Sequence, residues 1–394
     1  MNDLDVIPTS EALKGRRIDV VVTGSIAAVE SVRFIRALRR LGADVTAWLS
    51  EGGSMFVTPM ALTWASSHET RVGFSGHNTH ICDSDAVVIA PASSSIITKI
   101  ARGMTDSHCT ALAASALGQK KPVMLIPTMH DSLKEAPAQK QHLATISSWP
   151  NTHVLGAREE EGKQKFPDPA TLADEVSHVV NKASRPVNPV LITMGTTRGY
   201  IDDVRYISNY SSGKLGSLIS EELYRNGFQT FVVSGPCEVK PRVATTRADV
   251  LTTGDMLAKA REAESQGLTG GVFCASVLDF EPSEKTLGKI RSTHQNLTVH
   301  FKPTPKIIGE IQLGGKPKIG FKLETGMSPA EAKSIADTYI KKYGLTMLIA
   351  NELHAVSASA HHAFAFPAGG NPTELKSKDA IARLITDSFK TSNF

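Results

Sequence analysis

No stretch of this 394-residue chain stays apolar for the roughly 20 residues that a membrane-crossing helix needs. The opening MNDLDVIPTSEALKGRR has no apolar core of the kind a secretion signal carries, so a cytoplasmic protein is expected. Cysteine is scarce, and the four present (Cys82, Cys109, Cys237, Cys274) show neither CxxC nor Cys/His zinc spacing. That argues against a zinc ribbon or a disulfide framework, and scattered reduced thiols suit the cytosol. An excess of one charge is missing too. Lys and Arg total 43 against 39 Asp and Glu, a formal +4, with no dense basic run. No nucleic-acid partner and no membrane partner are expected, while small anionic substrates fit. Low-complexity tracts and internal repeats are absent.

What is present is an alternation of short apolar runs and helical patterns, repeated in two halves. Ile18–Thr23, Val45–Leu49, Ala86–Ala90 and Pro122–Pro127 read as strands, with helices over Ala27–Leu41 and from Ile96 to Gly103. A restart follows at Val190–Met194, Thr230–Ser234, Gly271–Ala275, Lys318–Lys322 and Leu345–Ala350. Helices are predicted over Lys214–Asn226, Asp255–Ala263, Pro329–Lys342 and Lys378–Phe389, and an edge strand over His362–Phe366. The expected fold class is α/β, with two Rossmann-like doubly wound domains and mostly parallel sheets. Length alone favours two domains. They are placed at residues 1–182 and 190–394, joined by the proline-bearing linker 183–189. Ligands of such sheets collect at the carboxyl ends of the strands.

The densest chemistry lies in GTTRGYIDDVRYISNYSSGKLG, residues 195–216, between an apolar strand and a helix. Glycines and hydroxyls leading into a helix start offer backbone N–H groups and a positive dipole end, which suits phosphate. The run is neither the dinucleotide GxGxxG nor a Walker loop. In the first half, Thr23-Gly24-Ser25-Ile26 and Ala90-Pro91-Ala92-Ser93-Ser94 repeat the strand-to-helix geometry.

Residues 195–216 resemble the signature of phosphopantothenate–cysteine ligase, "GGTREPID…VRYISN.SSGK.G". Nearly the whole chain resembles the bifunctional coenzyme A biosynthesis proteins, in which a flavin-dependent phosphopantothenoylcysteine decarboxylase is fused to that ligase. The resemblance implies a flavodoxin-like flavoprotein domain followed by a ligase domain. It implies FMN, CTP or ATP, and Mg²⁺ as cofactors, with 4′-phosphopantothenate and L-cysteine as substrates. It also implies a homo-oligomer. In the first domain Gly24, Ser25, Ser93 and Ser94 match the flavin motifs, and His80 matches the catalytic histidine.

Two positions depart from the decarboxylase pattern. His130 stands where the family's "PAMN" asparagine binds the substrate carboxylate, and Arg158 stands where its acid cysteine belongs. Guanidinium stays protonated and cannot act as a recyclable acid. Three readings stay open for this domain: a substitute acid, a structural flavodomain used for oligomerisation, or a different substrate. A flavoprotein regulatory subunit without either activity is the alternative from the binding class.

In the second domain the resemblance implies that Asn209 handles the acyl-nucleotide. Arg205 would clamp a carboxylate or phosphate, and Lys289 would meet the triphosphate. Asp279 falls at the acidic position near nucleotide and metal, with Ala275 just before it. Phe321 would pack near the base, Lys306 replaces a family aspartate, and Lys341 lies close to a family lysine. Asn351 closes an "AND"-like motif.

Overall fold

The computed structural model of the chain describes residues 4–76, 81–156, 158–160, 163–291, 296–324, 329–356 and 361–392. The chain separates into two compact units, Met1–Ala183 with Arg225–Gly227, and Ser184–Tyr224 with Phe228–Phe394.

The first unit is built on six parallel strands: β1 (Arg17–Val22), β2 (Asp44–Leu49), β3 (Arg71–Val72), β4 (Ala86–Ala92), β5 (Val123–Pro127) and β6 (Thr152–Val154). They lie in the order β3-β2-β1-β4-β5-β6. Alternate residues of β1 serve opposite cores, Ile18, Val20 and Val22 on one face and Val21 on the other, as a sheet covered on both faces requires. The helix expected over Ala27–Leu41 is broken into a short 3₁₀ turn, Ile26–Glu30, and an α-helix, Ser31–Arg40. At the junction the Ser31 hydroxyl donates to the Ala90 carbonyl at 2.9 Å and ties the helix start to β4. A small hairpin, β7 (Arg158–Glu160) and β8 (Lys163–Lys165), closes this unit's set of strands.

The second unit repeats the plan at larger size. Its strands are β9 (Val190–Met194), β10 (Arg198–Tyr200), β11 (Tyr206–Ser208), β12 (Thr230–Ser234), β13 (Thr246–Asp249) and β14 (Gly270–Phe273). They continue as β15 (Phe280–Pro282), β16 (Phe301–Pro303), β17 (Lys318–Glu324), β18 (Met347–Val356), β19 (His361–Pro367) and β20 (Thr373–Leu375). The main sheet runs β13-β12-β9-β14-β17-β18-β19-β20, while β10-β11 and β15-β16 form separate antiparallel pairs. β9 is buried at every position, which its unbroken apolar run requires of a central parallel strand. The expected edge strand near His362 is a correction. β19 is hydrogen-bonded on both sides, antiparallel to β18 and to β20, so the edge falls on β20.

Each main sheet reverses direction of growth at one place, between β1 and β4 in the first and between β9 and β14 in the second. The crevice outside the strand ends at such a switch point is where open α/β sheets hold ligands. At the opposite, amino end of the second sheet, Gly314 and Gly315 form an exposed turn closed by the Lys316 N–H on the Leu313 carbonyl.

Candidate functional site

In the first unit the β1 and β4 ends are laced together. The Thr23 hydroxyl donates to the Pro91 carbonyl at 2.7 Å and accepts the Ser93 N–H at 3.0 Å. Ser93 in turn caps the helix Ser94–Ala101 by accepting the Ile96 N–H, so that helix begins at the crevice. Ser25 caps the 3₁₀ turn in the same way and reaches the Thr128 carbonyl beyond β5 at 3.5 Å. Gly24 faces the Gly52 backbone so closely that a Cβ there would stand 3.2 Å from it. The resulting cavity, about 570 Å³, is lined by all four sequence-predicted flavin residues: Gly24, Ser25, Ser93 and Ser94. Ser94 is also held to the side by Gln139, at 2.8 Å. The sequence reading missed Ser50, Glu51 and Gly52, which line the same cavity after β2. The glycine pair following an apolar run was the available signal.

A second cavity of about 630 Å³ shares Ser25, Thr128 and Met129 with the first and adds Arg33, His130, Arg158 and Lys165. Arg158 therefore stands beside the candidate flavin site, paired with Lys165 across the hairpin. His130 has a structural task. Its Nδ1 accepts the Ser132 N–H at 3.2 Å and caps the turn Asp131–Lys134. His80 lies outside the described residues.

In the second unit the β9 and β14 ends are joined by a bridge between Thr196 and Ser276. The Thr197 hydroxyl accepts the Leu278 N–H at 3.0 Å. The chain then makes the β10–β11 hairpin and arrives at Asn209, whose amide nitrogen donates to the Val277 carbonyl at 3.1 Å and toward Ser276 at 3.4 Å. Gly213, at φ +78°, leads into the helix Lys214–Arg225. A Cβ there would meet the Val239 carbonyl oxygen at 2.5 Å, so both the backbone angle and the space demand glycine. Half-buried Cys274 donates to the Thr193 carbonyl at 3.1 Å, and loss of water pushes its thiol up to about 12, which removes it as a nucleophile.

Asp279 and Lys306, distant in sequence, form an ion pair. Both side chains are more than half exposed, so the pair contributes little to stability. Ala275 is half-buried at the β14 end, and Phe321 packs from β17 against the core below it. Lys289 is exposed, between two residues whose backbones are hydrogen-bonded to the 201–205 turn. One guanidinium nitrogen of Arg205 is engaged by Asp202 at 2.5 Å and by the Ile290 carbonyl at 3.1 Å, which ties the side chain to the chain around it. Lys341 stands exposed near the end of the helix Pro329–Tyr343, and no site contact among the described residues involves it. Asn351 lies in β18. No group of three or more metal-ligating side chains occurs among the described residues. The lone Asp279 carboxylate fits an ion that arrives on a triphosphate rather than a protein cage.

Residues 6–181 match a family model described as Flavoprotein, and residues 187–392 match one described as DNA/pantothenate metabolism flavoprotein C-terminal domain. A Coenzyme A biosynthesis bifunctional protein CoaBC from Thermococcus kodakarensis is 33% identical over 357 residues, covering 88% of this chain and 87% of the relative. The protein of the same description from Methanocaldococcus jannaschii is 32% identical over 353 residues, covering 87% and 85%. Among solved structures, the DNA/pantothenate metabolism flavoprotein from Streptococcus pneumoniae is 26% identical. It spans 52% of this chain and 99% of its own, with a TM-score of 0.48.

Proposed function

Because the chain belongs to the family of bifunctional coenzyme A biosynthesis proteins, we propose that its second unit joins 4′-phosphopantothenate to L-cysteine with a nucleoside triphosphate. The substrate carboxylate attacks the α-phosphorus and pyrophosphate leaves. The cysteine amine then attacks the acyl carbon of the acyl-nucleotide, the nucleoside monophosphate departs and phosphopantothenoylcysteine forms. The observation that carries this reading is the convergence of three elements at the β9/β14 switch point. They are the Gly213–Lys214 helix start, the Asn209 amide held on the 276–277 segment, and the Asp279–Lys306 pair.

The division of work follows from that placement. The helix start, with Ser211 and Ser212 before it, offers N–H groups and dipole to a phosphate. Asn209 would handle the acyl-nucleotide, the role that the family match implies, with its side chain anchored on the 276–277 segment. Lys289 and Lys306 supply cations for the triphosphate, Ala275 and Phe321 border the base, and Asp279 takes an Mg²⁺ carried by CTP or ATP. Lys341 stays a candidate for the triphosphate from the family match alone.

In the first unit the cavity formed by Gly24, Ser25, Ser93 and Ser94 would hold FMN, which supplies a two-electron acceptor for decarboxylation of phosphopantothenoylcysteine. His80 would act as base or orient the substrate there. Arg158 beside that cavity supplies a guanidinium where the family route uses a thiol acid, so completed decarboxylation by that route is not expected. Assembly into a homo-oligomer belongs to the same reading, from the family match alone. A cytoplasmic location also belongs to it. No helix among the described residues is long and apolar enough to cross a membrane.

Mass spectrometry tests this directly. The purified protein is given 4′-phosphopantothenate, L-cysteine and Mg²⁺, with CTP or ATP in separate tubes. Phosphopantothenoylcysteine alone supports a working second unit beside a first unit that does not complete decarboxylation. Further conversion to 4′-phosphopantetheine means that another group replaces the missing acid. No acyl-cysteine product with either nucleotide overturns the reading.

A further inference from the structure

The lysine expected to meet the triphosphate rides on a segment with no apolar anchor. From Ser283 to Lys289 every residue is exposed, Leu287 at 89%, and only Pro282 and the half-buried Ile290 flank the stretch. Packing cannot fix a strip of this kind, so its place must come from hydrogen bonds. Apart from the Ser283 N–H, which donates to the His300 carbonyl at 2.8 Å, those bonds converge on one turn, residues 201–205. The Thr286 N–H donates to the Ile201 carbonyl at 2.9 Å, and the Asp203 N–H to the Gly288 carbonyl at 3.3 Å. Asp203 answers with its side chain, accepting the Gly288 N–H at 2.8 Å and pairing with Lys285 at 2.7 Å.

The centre of the clasp is Asp202, which is fully buried. One carboxylate oxygen accepts the N–H groups of Val204 at 2.7 Å and Arg205 at 2.6 Å. The other accepts the Ile290 N–H at 3.0 Å and the Arg205 guanidinium at 2.5 Å. That guanidinium also donates to the Ile290 carbonyl at 3.1 Å, so Ile290 is held at both its N–H and its C=O. Loss of water pushes the Asp202 carboxyl up. The N–H groups of Arg205, Val204 and Ile290, then the guanidinium, outweigh it and hold the carboxyl well below the usual carboxylate range. The charge is therefore present at any working pH, and charge-assisted bonds of this kind are the strong ones.

We propose that Asp202, acting with Arg205, is a positioning residue for Lys289, fixing the backbone on both sides of that lysine and so the point at which its ammonium meets the triphosphate. The inference rests on the ligase reading above. Gly288 and Ile290 are the two residues bracketing Lys289, and both are clamped to the 202–203 pair. A lysine is a mobile charge on a four-carbon stem, so its usefulness depends on where its Cα is held. Misplacement of a contacting group by about 1 Å can cost about 100-fold in rate. The proposal also accounts for Arg205: it acts on the reaction through Ile290 rather than by touching substrate.

The test is a double-mutant cycle on the full chain, read as pyrophosphate release with 4′-phosphopantothenate and whichever of CTP or ATP the wild type uses. Asp202→Asn keeps the size and removes the charge, and Asp203→Asn is the milder companion should the buried change prevent folding. Lys289→Gln and Asp202→Asn are each expected to slow release by about 10- to 100-fold, and the double variant no further than about threefold below Lys289→Gln alone. Losses that multiply overturn the proposal, because Asp202 would then act independently of Lys289. Hydrogen exchange on the free protein separates this from failure of the ligase reading. Asp202→Asn should speed exchange at the Ile290 and Gly288 amides by about tenfold or more while β9 amides stay unchanged. Unchanged exchange at Ile290 overturns the clasp even in a protein with no ligase activity. Accelerated exchange in such a protein supports the clasp and places the failure with the ligase reading.

Discussion

Asn209 sits on an exposed loop, yet its amide nitrogen is turned back onto the Val277 and Ser276 carbonyls. That orientation holds the side chain against the 276–277 segment before any ligand arrives. Replacing it by alanine should leave pyrophosphate release within about threefold of the parent and cut acyl-cysteine formation by about 100-fold or more. Parallel assays of the two products check this, and unchanged amide formation removes Asn209 from the mechanism. The residues legible in the sequence at this scale were those whose role follows from local order: Gly213 and the serines before a helix, Ser25 and Ser93 at helix caps. Others depended on partners far along the chain. Lys306 finds Asp279 only after folding, and Asp202 reads as one polar residue among several until its burial is seen. The tie between Arg205 and the buried Asp202, three residues away, is likewise invisible before folding.

At the scale of elements, the 201–205 turn and the 283–291 segment form one polar unit whose strength depends on ionised carboxylates. Asp202 is held below its usual range by the bonds described above, and Asp203 by Lys285 first and the Gly288 N–H second. A depressed folded pKa contributes stability that is fully present above the unfolded value, about 4 for aspartate, and is lost as pH falls through the folded one. The melting temperature should therefore hold between pH 7 and about pH 5 and fall below about pH 4, with a shallower fall in Asp202→Asn. Equal slopes for parent and variant count against the carboxylate account. The main-sheet strands were easier to foresee than this unit. β9 and β12 are continuous apolar runs, and such runs announce buried parallel strands on their own. β3, with two residues, and the β10–β11 and β15–β16 pairs lack any periodic length, and the clasp's long-range bonds, such as Ile290 to Asp202, leave no local trace. β20, only three residues long, has too short a pattern to announce the strand that covers β19.

At the scale of the whole molecule, two sheets of the same strand logic each carry a candidate site at their own switch point, and the product of the second unit is the proposed substrate of the first. The two steps can therefore be separated by feeding. Given phosphopantothenoylcysteine directly, the Arg158→Cys variant should release more CO₂ than the parent, because a thiol at that position in the β7–β8 hairpin can return a proton. No gain, with flavin absorbance retained, moves the block to His130 and the rest of that cavity. In both sheets the candidate groups gather at the carboxyl ends of the strands, which leaves the amino ends with a different freedom. The Gly314–Gly315 turn has both glycines at positive φ with no neighbouring atom within 4 Å of where a side chain would begin. It is thus a natural point for an inserted peptide, which can carry a dye or a surface tether while the two glycines keep their angles, on the side of the sheet away from the chemistry.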